Sequence, residues 1–191
     1  MKRIKLTTKK ELNIYMSPVR QQLLRQLSIA NGPMTPKMLS DSLGISPSSV
    51  QHHIRKLSEL ELIELDHTEV INGITASFYK PAQVTVQIGL GTSDELDPQR
   101  EVLMENIISE VYKGFCRQMK KRRDAGELIN ESTDLGDTRT GVLYLTDEMA
   151  GKLMQLIQDF IVEYGTPQQG GNPWEYALIA YKAGESREQI K

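Results

Sequence analysis

The sequence predicts an α+β chain in two parts: an N-terminal helical domain closed by a β-hairpin, and a helix-rich α+β module behind it. Three observations carry this reading. Between residues 17 and 60, three helical runs each open on a hydroxyl residue and Pro, at Ser17-Pro18, Thr35-Pro36 and Ser46-Pro47; the hydroxyl caps a helix N-terminus and Pro fits its first turn. Two strand-like runs then flank Asn72-Gly73, a hairpin dipeptide. The last third runs strand, helix, strand, in "GVLYL", "TDEMAGKLMQLIQDFIVEYG" and "PWEYALIAYK".

Composition bounds the answer. A chain of 191 residues can bury a real core as one large domain or two small ones. The single cysteine, Cys116, excludes an intramolecular disulfide and is read as a buried small hydrophobe. No run approaches the roughly 18 apolar residues of a membrane span, and the basic opening "MKRIKLTTKKEL" is not followed by an apolar secretory core. The expectation is therefore a cytoplasmic protein with no membrane partner. Charge is unevenly distributed: residues 1–83 hold 11 Lys/Arg against 7 Asp/Glu, and residues 84–191 hold 12 against 18. The N-terminal part is thus the candidate for a polyanionic partner.

The elements follow in order. Residues 1–14 read as a basic N-terminal arm, solvated or reaching phosphate through Arg3. A first helix carries Val19, Leu23, Leu24 and Leu27 at helical spacing and closes near Gly32. A second, short helix aligns Met38, Leu39 and Leu43 and ends at Gly44, the residue most tolerant of the left-handed backbone that stops a helix. The third turns Val50, Ile54 and Leu57 inward. Gly44-Ile45-Ser46 is then the tight turn of a helix-turn-helix.

On the outward side of the third helix stand Ser48, Gln51, His52 and Arg55, flanked by Ser49 and Lys56. Hydroxyl, amide, imidazole and guanidinium groups hydrogen-bond base edges and phosphates, and the helix after such a turn is the one that enters a major groove. Lys37 and Arg3 are further candidates for phosphate. "LIELDH", "TEVING" and "ITASFYK" complete a winged helix over residues 15–83.

With "SPVRQQLLRQLS", "TPKMLSDSLGISPSSVQHHIRKLSELELIE" and the hairpin in place, the chain resembles the ArsR-like family of winged helix-turn-helix transcription regulators. The resemblance implies double-stranded DNA as partner, bound by a homodimeric repressor; two recognition helices would then ask for a near-palindromic operator. The sequence departs from the family at three points. Glu61 stands where Gly is usual before the wing, the wing tip carries Asp66 and Glu69 with only His67 where the family often has Arg or Lys, and no clustered cysteines provide a metal site. His52 and His53 are adjacent, about 100° apart on a helix, and poorly placed to share a metal, so no metal or other cofactor is expected.

Residues 84–191 read as a dimerisation or effector module. "QVTVQIGLG" alternates like a strand, and "GLGTSDE" lacks the third Gly of a dinucleotide loop. From Asp97-Pro98 a long helix carries Leu103, Ile107, Ile108, Val111, Tyr112, Phe115 and Met119, and its "KKRR" tail reads chiefly as complementing the helix dipole, with nucleic-acid contact as the alternative. Thr146 caps the last helix, whose apolar face is Leu153, Leu156, Ile157, Phe160 and Ile161. Trp174 and Tyr176 read chiefly as core, and a small-molecule effector site between the modules is left open. The chain has no Gly-x-Ser-x-Gly, metal-ligand spacing or phosphate loop, so it reads as a regulator and not an enzyme. The alternative is a winged-helix protein-interaction module without specific DNA binding.

Overall fold

The computed structural model describes residues 2–30, 32–89, 94–126 and 136–184. Its elements are β1 (Lys2–Lys5), α1 (Lys9–Tyr15), α2 (Pro18–Ile29), α3 (Pro36–Leu43), α4 (Pro47–Glu59), β2 (Ile63–Ile71), β3 (Ile74–Pro81), β4 (Val84–Gln87), α5 (Asp97–Asp124) and α6 (Asp147–Tyr164). The α+β class and the winged helix-turn-helix order α2-α3-α4-β2-β3 are as the sequence predicts. The "GLGTSDE" stretch falls largely outside the described residues.

Local chemistry sets the helix boundaries. Thr35 accepts a hydrogen bond from the Met38 amide at 3.2 Å, and Ser46 accepts one from the Ser49 amide at 3.2 Å. Ser17 occupies the cap of α2 but makes no side-chain cap bond. Gly44 ends α3 at φ 67°, where a Cβ would crowd the backbone. The turn is also pinned from inside, because the buried Ser40 hydroxyl donates to the Ile45 carbonyl at 2.6 Å. That bond ties α3 to the turn that leads into α4.

The wing closes through Asn72 and Gly73, at φ 51° and 78°. Both positive angles fit a two-residue hairpin, with Ile71 paired to Ile74. An irregularity at Asp66 shifts the register between Leu65 and His67. The amide and carbonyl of Tyr79 both bond Met34, at 2.9 and 2.8 Å, tying β3 to the loop before α3. Glu61 takes the left-handed conformation at φ 54°, so this chain places a carboxylate where a glycine would be unstrained.

Residues 2–15 are ordered structure rather than a free arm. β1 pairs parallel with β4, Lys2 opposite Val84 through Lys5 opposite Gln87, and α1 begins with a capping box between Thr8 and Glu11. Leu6, Leu12 and Ile14 from this segment join Leu23, Leu27, Leu39, Val50, Ile54, Leu57, Leu60, Leu62 and Ile63 in one buried cluster. Ile4, Val84, Val86 and Ile88 pack against it.

Packing divides the chain into two units, Met1–Met104 with Thr140–Pro173, and Glu105–Arg139 with Trp174–Lys191. In the first, α5 opens around Arg100, whose side chain is only 3% exposed and pairs with Asp94 at 2.6 Å and Asp97 at 2.9 Å. Also in that unit, α6 is capped by Thr146 as expected, yet it buries no residue. The expected strands "GVLYL" and "PWEYALIAYK" are not strands: the described residues form only the β1–β4 and β2–β3 ladders. Alternating apolar side chains make a strand only where a neighbour accepts its backbone. In the second unit, Cys116 is exposed, which corrects its reading as a buried hydrophobe, and Trp174 and Tyr176 are exposed rather than core. No described helix is long and apolar enough to cross a membrane.

Candidate nucleic-acid interface

The candidate surface is built on α4. Val50, Ile54 and Leu57 are fully or almost fully buried, and this fixes the rotation of the helix. The 3.6-residue period then turns Ser48, Gln51, His52 and Arg55 to solvent, while Ser49 and Lys56 are half-buried. Among the described residues Arg55 forms no ion pair, so its guanidinium is available to a ligand. The Ser48 hydroxyl lies 3.1 Å from that of Ser46, at the very start of the helix.

The other candidates are more constrained. Lys56 is bonded to Glu59 at 2.6 Å and Lys37 to Asp41 at 2.5 Å, each on its own helix. Arg3 is exposed on β1, in register with Thr85. The four outward residues of α4 therefore form one face by construction, and Lys37 and Arg3 are carried on separate elements.

His53 sits at the edge of the stripe. Its ring meets His52 edge-on at 5.5 Å between centroids, and its buried Nδ1 has no hydrogen-bond partner among the described residues. Burial, followed by the positive charge of Arg20 and by His52, lowers its pKa and favours the neutral ring. Among the described residues, no three His, Cys, Asp or Glu side chains gather as a metal site.

The wing is net acidic, with Glu64, Asp66 and Glu69 against Lys80. Lys80 bridges Asp66 at 2.9 Å and Glu64 at 3.4 Å, and Asp66 also contacts His67 at 2.7 Å. His67 stacks on Phe78 with ring centroids 4.4 Å apart. Toward the tip, Glu69, Val70, Ile71 and Ile74 are exposed.

The sequence reading names His52 and Lys56 but misses the group they join. Lys9, Lys10 and Asn13 of α1, Arg20 of α2, and His52 and Lys56 of α4 line an open cleft of about 510 Å³ with Ile14. The signal was Thr8-x-x-Glu11, which marks a helix start where the basic composition suggested an arm.

Turn, recognition-type helix and hairpin together define a winged helix-turn-helix domain. Residues 15–66 match a family described as a helix-turn-helix domain. Among solved structures, NolR from Sinorhizobium fredii is 20% identical and matches over 54% of this chain and 81% of that one, with a TM-score of 0.31. A possible transcriptional regulator from Methanosarcina mazei Go1 is 18% identical over 58% and 78% of the two chains, with a TM-score of 0.28. No curated protein matches the chain.

Proposed function

We propose that this chain is a DNA-binding transcription regulator of the ArsR-like kind, a homodimeric repressor that reads a near-palindromic operator through α4. The observation that carries the reading is the exposed face of Ser48, Gln51, His52 and Arg55 on a helix held in rotation by three buried residues. These side chains offer donors and acceptors to a major groove, and Arg55 and Gln51 have the geometry for bidentate contact with guanine and adenine. Preorganisation by Ser40, Gly44 and the Ser46 cap favours this use, because a recognition helix must meet the groove at a set angle.

Support for a second copy comes from unspent apolar surface. Val142, Leu143, Tyr144, Leu156 and Phe160 are all exposed, Tyr144 at 95%, and exposed apolar groups in such number mark an interaction surface. A homodimer would give two α4 helices for two half-sites about one duplex turn apart. The protein-interaction reading has one observation in its favour, the engagement of Lys80 by Glu64 and Asp66, which leaves the wing little pull on phosphate.

Titration against duplex DNA from upstream of the chain's own gene and against scrambled duplex, at two salt concentrations, separates the readings. The regulator is expected to prefer the upstream duplex and to weaken with salt, and Arg55→Ala to lose about 1–3 kcal/mol of that preference. Equal, weak binding of both duplexes, unchanged in Arg55→Ala, sinks the regulator and favours a protein partner.

A further inference from the structure

We infer that the α1–α2–α4 cleft is a phosphate clamp, which grips the DNA strand flanking the groove that α4 enters. The inference rests on the proposed DNA reading and extends the contact to Lys9, Lys10 and Arg20. Four permanent cations, Lys9, Lys10, Arg20 and Lys56, converge on one cleft together with His52. Two carboxylates stand beside Lys10 and Ile14: Glu59, bonded to Lys56 at 2.6 Å, and Glu11, whose oxygen is committed to the amides of Thr7 and Thr8 at 2.9 Å. Counting both Glu59 and Glu11 against the four cations, the cleft keeps a net positive charge.

The cleft is also built. The Arg20 guanidinium donates from Nη2 to the Asn13 carbonyl at 2.9 Å and from Nε to the Ile14 carbonyl. Gln21 donates to the Tyr15 carbonyl at 2.6 Å. These bonds satisfy carbonyls at the end of α1 and fix a positive charge in the wall while the exposed Lys9 and Lys10 ammonium groups face solvent.

Geometry selects the occupant. His52 belongs both to the outward face of α4 and to the wall of the cleft. A duplex seated on that face therefore brings a backbone phosphate to the cleft's mouth. A small free anion is normally enclosed by its site, whereas this cleft is open and its lysines are exposed. Backbone contacts of this kind set position and affinity and carry no sequence information.

The test uses the full chain, the upstream and scrambled duplexes, and the variants Lys9→Gln/Lys10→Gln, Lys9→Arg/Lys10→Arg and Arg55→Ala. The glutamine pair is expected to weaken both duplexes by the same factor, on the order of tenfold, and to lower the slope of log affinity against log salt by about 1 to 2. The arginine pair restores both, and preference for the upstream duplex is unchanged in the glutamine and arginine pairs alike. If affinity and slope do not move in the glutamine pair while Arg55→Ala loses preference, the clamp is wrong and the α4 reading stands. Wild-type protein that binds neither duplex overturns both. A free-anion site would instead show as inorganic phosphate or pyrophosphate shifting the His52 ring resonances in wild type but not in the glutamine pair, with DNA affinity unaffected; that result also overturns the clamp.

Discussion

Helices α4 and α6 begin alike and end in opposite circumstances. Each opens on a hydroxyl cap, Ser46 or Thr146, that accepts a backbone amide at 3.2 Å, and each carries an apolar stripe. Leu57 of α4 is 0% exposed and Leu156 of α6 is 67% exposed. Capping and periodicity are therefore enough to form a helix and to mark its apolar face, but they do not provide the surface that covers it. Around α4 that surface comes from α1, α2, α3, Leu62 and Ile63; α6 buries no residue, and the proposed homodimer would cover it.

The sharpest way to break this contrast is the same truncation in both helices. Leu57→Ala is expected to cost about 2–5 kcal/mol in denaturant unfolding, since it empties a packed site. Leu156→Ala in the monomer is expected to stay within about 0.5 kcal/mol, because it removes only exposed surface. Measured instead by sedimentation across a concentration series, Leu156→Ala should raise the dissociation constant of the dimer. No shift there would remove the α6 face from the proposed interface.

A smaller effect tests the turn that aims α4. Gly44→Ala places a Cβ on a residue at φ 67°, where no neighbouring atom lies within 4 Å, so the cost is backbone strain alone. About 1 kcal/mol is expected, read as a lower denaturant midpoint with unchanged slope. A much larger loss would mean that the turn is over-determined by contacts beyond the Ser40 bond.

The smallest effect is set by pH and separates two places in the chain. His53 has a folded pKa below the ordinary value of about 6.5, so the unfolded chain takes up its proton first as pH falls. Its contribution is full above that value and is lost as pH drops from about 6.5 through the lowered folded pKa. Asp94 behaves differently. The Arg100 hydrogen bond, and then the Leu96 amide, lower its pKa, so its contribution persists through neutral pH and is lost only below the ordinary carboxylate range. A melting-temperature profile should therefore decline in two windows, and His53→Gln should flatten only the upper one.

The helices and hairpin of residues 15–83 were legible because their signals are local. A Pro after a hydroxyl, a Gly at a helix end and an Asn-Gly pair act within a few residues of themselves. The outward face of α4 was legible for the same reason, since three buried positions at helical spacing define the opposite side. Illegible were the β1–β4 pairing, which joins Lys2 to Val84, and the cleft in which Lys9 and Arg20 meet His52. Both depend on groups far apart in sequence, and the basic composition of the first ten residues hid the Thr8–Glu11 cap that predicts a helix there.

By itself, then, the sequence determined which segments coil, where they stop and which α4 side chains face outward, because backbone sterics and capping are short-range. Only the tertiary structure decided that the N-terminal segment is a strand and helix on the core, that five basic groups share one cleft, and that the runs at 141–145 and 173–182 form no strand among the described residues. A strand exists only if another backbone accepts its hydrogen bonds, and a charged site only if packing brings distant residues together; neither condition is written in any single stretch of chain.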